Sequence, residues 1–444
     1  MHILKKLSMV TGGFLLMTVA VKAQKVDFTE YDLANGLHVI LHQDKTAPVV
    51  AVTVFYHVGS KNEETSRTGF AHFFEHLLFE GTDNIKRGEW SKIVSSNGGQ
   101  ENATTSQDRT FYYEVFPSNQ LELGLWMESE RMLHPVINEV GVKTQNEVVK
   151  EEKRQRIDNQ PYGHFLEEIF KRLFTAHPYR WQPIGSMEDL DAAKLEEFQA
   201  FFKKYYIPNN ATLSVAGDID IEQAKKWVAK YFTDVPKGPA IVQPNIQEAP
   251  ITKEIVDTAY DANIQIPAVM AAYRIPGLKS DDSKVLELIS NYLSNGGSSK
   301  LYKKMVDDKK NALQVGAFNY ALEDYGAYIT YALPNNNASL QDLLKDIDEE
   351  VVKLQTDLIS EEDYQKLMNQ EENDFVSANT RMLGVAENLS DGHVYFNNTG
   401  HINDELSDYK KITREQIRDV AKKYLNSNQR VVLYYLPDTK SGNN

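Results

Sequence analysis

The stretch that decides the fold runs from Gly69 to Thr82 and reads GFAHFFEHLLFEGT. Its aromatic and aliphatic side chains recur at helical spacing, which predicts an amphipathic helix ending near Gly81, a residue suited to a left-handed cap. Residues three and four positions apart share one face of a helix. His72, Glu75 and His76 therefore lie together, away from the apolar face.

These three polar residues have the spacing of a metal site. Two imidazoles one turn apart can bind a single Zn²⁺, and Glu75 is then placed as a general base that takes a proton from a metal-activated water. The competing interpretation is two ordinary half-buried histidines beside a solvated glutamate. We favour the metal site, because the 444 residues include only 11 histidines and a chance His-x-x-Glu-His is rare.

Composition restricts the other possibilities. A length of 444 residues suits two or three domains, and 41% hydrophobic with 25% charged residues is typical of a globular protein. The chain has 48 basic and 63 acidic residues, a net charge of −15 (48 − 63), which argues against nucleic acid as the main partner. It has no cysteine, so thiolate zinc sites and cysteine nucleophiles are excluded. Any metal must be held by His, Asp or Glu.

Residues 1–23 have the pattern of a signal peptide. Lys5 and Lys6 precede an uncharged stretch over residues 7–21, and Val21-Lys22-Ala23 offers small residues at the positions that a signal peptidase reads. This stretch of 15 residues (21 − 7 + 1) is shorter than the ~20 that a membrane-spanning helix needs, so a membrane anchor is the less favoured alternative. We expect an exported protein, in the periplasm, with no membrane segment in its mature form.

A proline-rich segment over residues 236–250 holds four of the 15 prolines and predicts an extended linker. It separates an N-terminal domain, residues 24–235, from a C-terminal domain, residues 251–444. Each half ends with a predicted helix followed by a strand, which indicates a weak internal repeat. Strands mixed with long helices, without a strict βαβ rhythm, favour α+β domains built on antiparallel sheets.

Several further motifs, together with His-x-x-Glu-His, make the chain resemble the M16 family of zinc peptidases, the inverzincins. The resemblance covers nearly the whole mature chain and implies two related α+β domains, with helices layered on antiparallel sheets, that form half of a clam-shaped chamber. The matching stretches are LANGL at 33–37, HVGS at 57–60, HLLFEGT at 76–82, NATT at 102–105, TFYY at 110–113, HPY at 177–179, PIG at 183–185, PNNA at 208–211 and AGD at 216–218.

The resemblance also implies a third zinc ligand, a glutamate on a separate helix. The family's spacing selects Glu152, which lies 76 residues (152 − 76) beyond His76. Glu151 is the second choice, and the residues alone leave the two open. A second, supporting carboxylate of the family is replaced here by Gln145, and Glu147 is a candidate substitute.

The family's activity implies zinc-dependent hydrolysis of peptides or unfolded segments, with the strand containing Asn102, Ala103 and Thr104 pairing with an extended substrate. The alternative is a non-catalytic scaffold or binding subunit, because some members have lost the zinc site. The second half has no paired histidines, so one Zn²⁺ per chain is expected. Eight other histidines are interpreted as structural or surface residues: His38, His42, His57, His134, His164, His177, His393 and His401.

A last expectation concerns the partner. In the family, the opposing half of the chamber supplies an arginine and a tyrosine that grip the substrate carbonyl. In this chain those positions fall on Asp307 and Gln314, or, with a different register, Tyr320 or Tyr325 replaces the tyrosine. A carboxylate would oppose stabilisation of a developing oxyanion. The sequence therefore predicts a heterodimer with a zinc-less M16 homologue that supplies the Arg/Tyr pair.

Overall fold

A computed structural model describes residues 25–438 of the chain. The predicted signal peptide, residues 1–23, lies outside the described residues. Within the described range, the strands form one six-stranded and one five-stranded sheet.

The first sheet belongs to the N-terminal half, in the order β1-β2-β6-β3-β5-β4. The central strand β3 is buried along almost its whole length, as its run of valines and aromatics requires. The strands of this sheet are β1 (Thr29–Asp32), β2 (His38–Gln43), β3 (Val49–Tyr56), β4 (Gln100–Thr105), β5 (Thr110–Pro117) and β6 (Ala211–Gly217).

The second sheet belongs to the C-terminal half, in the order β7-β11-β8-β10-β9. Its strands are β7 (Ile255–Asp261), β8 (Ala268–Pro276), β9 (Ala312–Ala321), β10 (Tyr325–Pro334) and β11 (Arg430–Pro437).

The two sheets share one strand order once β1 is set aside. In each, the last strand of the half is inserted between the first two and pairs in parallel with one of them, β6 with β2 and β11 with β7. This agreement supports the internal repeat. The predicted α+β fold is confirmed, but the sheets are not purely antiparallel, because a strand returning after a long helical excursion pairs in parallel.

The helices pack on the faces of these sheets. Those of the first half are α1 (Phe70–Leu77), α2 (Trp90–Ser96), α3 (Leu121–Leu133), α4 (Glu139–Lys153), α5 (Phe165–Leu173), α6 (Met187–Ala192), α7 (Leu195–Tyr205) and α8 (Ile221–Phe232). Those of the second half are α9 (Asp281–Ser294), α10 (Leu340–Thr356), α11 (Glu361–Ala378), α12 (Met382–Phe396), α13 (His401–Tyr409) and α14 (Arg414–Tyr424). Two π-helical segments, Arg154–Asp158 and Tyr302–Asp308, interrupt this pattern.

One helix of each half covers the sheet of the other half. Leu389 and its neighbours on α12 are buried against Ile40 and Ala51 of the first sheet. On the other side, Phe170 and its neighbours on α5 are buried against Val431 and the rest of the second sheet. The apolar interior therefore continues across the junction of the halves.

The proline-rich segment lies along the first half without forming a helix or strand over residues 236–250 of the described chain. The Glu248 carboxylate accepts backbone hydrogen bonds at 2.7 Å from Thr175, Ala176 and His177. This geometry suits an extended connection, and the limits at residues 235 and 251 remain a prediction. Over residues 25–438, none of the helices combines the length and the apolar character that crossing a bilayer requires.

Candidate metal centre

Helix α1 carries the histidine pair, and its start is fixed by two residues. Gly69 has φ of 93°, and a Cβ there would lie 2.9 Å from the carbonyl oxygen of Ile184, so a side chain is excluded on both counts. Because glycine offers no capping side chain, Glu63 accepts the free N–H groups of Gly69 and Ala71 at 3.0 and 2.8 Å. The helix ends at Leu77, earlier than the predicted Gly81, and hydrogen bonds of three-residue turns continue to Glu80.

The structure brings His72, His76 and Glu152 together. The carboxylate oxygen Oε2 of Glu152, on α4, lies 3.0 Å from Nε2 of His76 and 3.7 Å from Nε2 of His72. One ligand atom from each residue lies within 4.8 Å of the other two. All three side chains are largely shielded from solvent, with 11% to 22% of their surface exposed.

The pKa shifts of His72 and Glu152 suit a bound cation. Burial, and next the neighbouring His76, lower the pKa of His72 to about 4, so its ring is neutral at pH 7, as a metal ligand must be. The hydrogen bond with His76 lowers the pKa of Glu152, the Arg156 guanidinium lowers it further, and the carboxylate stays ionised. Two imidazole nitrogens and one carboxylate oxygen are the ligand set of a catalytic Zn²⁺, so these residues fit that ion.

Glu75 lies on the same face of α1 and does not join the three ligand atoms. Its Oε2 accepts a hydrogen bond from Oγ1 of Thr105, on β4, at 2.6 Å. Burial raises the pKa of Glu75, against the opposing effect of the Thr105 hydrogen bond. A carboxylate with a raised pKa beside a metal-ligand set is suited to accept and return a proton.

The other glutamates of α4 point elsewhere. Glu151 is half exposed and pairs with Arg154 at 3.2 Å, and Glu147 is 69% exposed and lies 3.6 Å from Lys150. Gln145 donates to the buried Glu80 at 2.5 Å. Glu147 therefore does not supply the supporting carboxylate that the family has at the position of Gln145.

The predicted substrate strand, β4, forms an edge of the first sheet. Among the described strands it pairs only with β5. Asn102 and Thr104 are exposed, whereas Ala103 is 5% exposed and its side chain packs in the core. Any contact of Ala103 with a substrate would therefore come from its backbone.

Two residues beside the site were given no role at the metal centre from the sequence. Thr105 follows the predicted substrate residues and shares the inward face of β4 with Ala103, a period-two signal that could have identified it. Arg156, in the first π-helical segment, lies 2.7 Å from Oε1 of Glu152. Its position four residues after Glu152 is the spacing of a helical ion pair, and this spacing was the available signal.

The candidate partner-facing positions are exposed. Asp307 pairs with Lys303 at 2.7 Å, and Gln314 donates to the hydroxyl of Tyr331 at 3.1 Å. The two tyrosines considered as substitutes have contacts inside the chain. The hydroxyl of Tyr320 lies 3.4 Å from Gln107, and that of Tyr325 accepts the backbone N–H of Glu248 at 3.2 Å.

Comparison with known proteins gives matches over most of the chain. The family model described as Insulinase (Peptidase family M16) matches residues 38–184, and the one described as Peptidase M16 inactive domain matches residues 192–371. The chain is 30% identical to Zinc protease PqqE of Helicobacter pylori over 408 residues, covering 91% of this chain and 92% of that protein. It is 25% identical to the uncharacterized zinc protease YmxG of Bacillus subtilis, covering 77% and 81% of the two chains.

Solved structures agree with these matches. A crystal structure of a protease from Helicobacter pylori has a TM-score of 0.88 at 29% identity, covering 93% of this chain and all of that one. The periplasmic protease PqqL of Escherichia coli has a TM-score of 0.75 at 18% identity, and this chain covers 48% of its length. The chain therefore belongs to peptidase family M16, a family of metallopeptidases, and the resemblance read from its motifs is confirmed.

Proposed function

We propose that this chain is the zinc-bearing subunit of a peptidase, with His72, His76 and Glu152 as metal ligands and Glu75 as general base. The observation that carries the proposal is the convergence of two Nε2 atoms and a carboxylate oxygen, with a second, partly buried carboxylate, that of Glu75, on the same helix face as the histidines. The names of the relatives, which include zinc proteases, support it.

In the proposed reaction the zinc ion and the side chains of this protein have different roles. When bound, zinc supplies Lewis acidity toward the scissile carbonyl and toward water. Glu75 accepts the proton of the attacking water and passes it to the leaving amine. Thr105 holds the Glu75 carboxylate in place through a hydrogen bond. Arg156 orients Glu152 by pairing with its Oε1, the carboxylate oxygen that does not face the histidines. Burial of the trio limits competing solvent.

The position of β4 at the edge of the first sheet, among the described strands, supports extended peptides as the substrate class. An extended peptide pairs with such an edge through main-chain hydrogen bonds, and the exposed side chains of Asn102 and Thr104 flank it. Ala103 contributes its backbone only. Peptides and unfolded segments can present an extended backbone in this way.

The test is zinc content and cleavage of an internally quenched peptide. Glu75→Gln should retain zinc and lose cleavage by about a hundredfold or more, the range expected for a general base. Glu152→Gln should lose zinc, whereas Glu151→Gln on the same helix is the matched control and should keep both. Unchanged cleavage by Glu75→Gln would favour the non-catalytic scaffold role, and loss of zinc from Glu151→Gln would move the ligand assignment by one residue.

We further propose that the working form is a heterodimer with a zinc-less M16 homologue. Asp307 and Gln314 lack the cationic and hydroxyl chemistry that would stabilise an oxyanion, and both already have partners within the chain. The match to 48% of the longer Escherichia coli chain is consistent with a unit that needs a second half.

Peptidase activity of the purified chain alone, compared with the chain plus such a homologue, tests the partnership. The pair should be at least about a hundredfold more active, because removing oxyanion donors costs ~10²–10³ in rate. The matched control is a homologue whose arginine and tyrosine are replaced, which should bind without activating. Full activity of the lone chain would contradict the proposal.

We place the mature protein outside the cytoplasm, in the periplasm. The composition of residues 1–23 supports this, as does the periplasmic description of the Escherichia coli protease that shares the fold. N-terminal sequencing of the protein recovered from a periplasmic extract should begin at residue 24. Recovery of the intact N-terminus from the cytoplasm would contradict it.

A further inference from the structure

A second group of metal-ligating side chains lies where the two halves meet. It consists of Glu30 on β1, His38 on β2 and His393 on α12, and one ligand atom from each lies within 4.8 Å of the others. We refer to these three residues as the junction cluster. The sequence gives no reason to connect them, since His38 and His393 are 355 residues apart (393 − 38).

The fold explains how they meet. Antiparallel pairing places Asp32 opposite His38, so Glu30, Asp32 and His38 share one face of the β1–β2 pair. The same face carries Ile40, which packs under Leu389 of α12. His393 comes one helical turn after Leu389 and therefore points to the same face. Its ring stacks on that of His38, with 3.5 Å between centroids and 4° between planes.

One ring nitrogen of His38 makes no hydrogen bond among the described residues. Nδ1 lies 2.8 Å from a carboxylate oxygen of Asp32, and an ionised carboxylate only accepts, so Nδ1 is the donor. Nε2 lies 3.3 Å from Oε2 of Glu30 but is buried with no hydrogen bond among the described residues. Two potential ligand atoms, Nε2 of His38 and Oε2 of Glu30, thus face each other without a hydrogen bond, and a cation bound between them would satisfy both.

This arrangement has the outer contacts of a metal site. Metal-binding histidines typically donate their second nitrogen to a carboxylate, as His38 does to Asp32, and bound carboxylates are themselves hydrogen-bonded, as Glu30 is by the Thr399 hydroxyl. In a tetrahedral site with ~2.1 Å bonds the ligand atoms are about 3.4 Å apart. The 3.3 Å separation of Nε2 and Oε2 matches this. A ligand atom of His393 lies within 4.8 Å of the other two residues, and binding the same ion would turn this ring out of its stack on His38.

We propose that the junction cluster is a second divalent-cation site, for Zn²⁺ or another cation that prefers imidazole with carboxylate, and that it fastens α12 to the first sheet. Its ligands come from both halves of the chain, so the bound ion would act as a cross-link. The site is independent of the proposed catalytic centre and shares no residue with it.

The experiment uses the full mature chain carrying His72→Ala and His76→Ala, which removes the first site. After chelation, Zn²⁺ is titrated by calorimetry, and the thermal midpoint is measured with and without Zn²⁺. We expect one Zn²⁺ per chain and a higher midpoint with the metal. Adding His393→Ala or Glu30→Gln should weaken binding at least tenfold and abolish the midpoint shift. Asp32→Asn should weaken binding by about 10- to 100-fold, as loss of an orienting carboxylate does.

His134→Ala in the same background is the control, because this histidine is partly exposed and pairs with a glutamate outside the junction cluster. It should leave binding unchanged. Glu30 is partly exposed, so Glu30→Gln keeps the test valid even if His393→Ala fails to fold. Absence of zinc binding in the double variant would overturn the proposal, and so would binding that survives Glu30→Gln unchanged. Neither result bears on the catalytic site.

Discussion

Thr105 controls the proposed general base through one short contact. Its hydroxyl donates to Oε2 of Glu75 at 2.6 Å, and a donor of this kind favours the ionised carboxylate. Burial acts in the opposite direction and raises the pKa of Glu75. The pH at which the base becomes active therefore depends on the balance of these two effects.

Thr105→Val should shift that balance in a defined direction. Without the hydroxyl the pKa of Glu75 rises, and since the base must be ionised, the acidic limb of the kcat/KM profile should move to higher pH. The expected shift is about one unit, because a hydrogen bond to a charged group is worth about 1.5 kcal/mol and one unit corresponds to 1.36 kcal/mol. Thr356→Val, at an exposed position on α10, is the control. An unshifted limb would show that Thr105 does not set the ionisation of Glu75.

What the sequence could reveal at this scale depended on how close the residues lie along the chain. His72, Glu75 and His76 share a helix face, so spacing alone identified them. Glu152 sits on another helix, and its choice over Glu151 needed a family resemblance. Thr105 meets Glu75, and the residues of the junction cluster meet one another, only through strand pairing and helix packing. Such contacts between distant residues cannot be predicted from a single sequence.

At the scale of elements, a buried ion cluster ties the turn before α1 to the β9–β10 turn of the other half. Lys61 is 1% exposed and its Nζ lies 3.0 Å from Asp108 and 2.5 Å from Glu323. Burial alone would raise the pKa of Glu323, but His57 at 2.7 Å and Lys61 lower it well below its ordinary value. The charges thus compensate one another across the junction of the halves.

Lys61→Met should lower the free energy of unfolding by about 3–5 kcal/mol, because it leaves buried carboxylates without their cation. Lys279→Met is the matched control: Lys279 also contacts Glu323, at 3.2 Å, but is half exposed, so the loss should stay below about 1 kcal/mol. Since the folded pKa of Glu323 is lowered, its contribution is complete above the ordinary glutamate pKa of about 4.3 and is lost only as the pH falls below it. Urea unfolding of the two variants at pH 7 and pH 3 measures the loss of stability and its dependence on pH. Equal losses for the two variants would contradict the buried-charge explanation.

The sequence predicted elements better than their arrangement. A closing helix and strand were predicted for each half, at residues 196–216 and 413–436, and they correspond to α7 with β6 and to α14 with β11. In the first half helix α8 follows β6, so only the second half ends with this pair. These elements could be predicted because the hydrophobic residues of a helix recur with a period of about 3.6 and those of a strand alternate with a period of two. The parallel pairing of β6 with β2 and the packing of α12 on the sheet of the first half were not predicted. Both depend on contacts between residues far apart in the chain.

At the scale of the whole molecule, the two halves share one strand order, but each half depends on the other for its packing. The face of the first sheet that carries Ile40 is covered by Val385 and Leu389 of α12. The face of the second sheet that carries Met270 is covered by Ile169 of α5. Each half alone would expose an apolar sheet face, and exposed patches of this kind lead to association or aggregation.

Separate expression of residues 24–235 and 251–444 tests this interdependence. We expect each fragment alone to be insoluble or to form large oligomers, and the two co-expressed fragments to elute as a 1:1 complex in size-exclusion chromatography, since the cut falls in a segment without helix or strand. A fragment pair carrying Leu389→Ala is the control for the interface. This change should weaken the complex, because removing a buried leucine costs about 2–5 kcal/mol. A monomeric, cooperatively unfolding fragment 24–235 would instead show that the first sheet does not need α12, and that the halves are autonomous domains joined only by their linker.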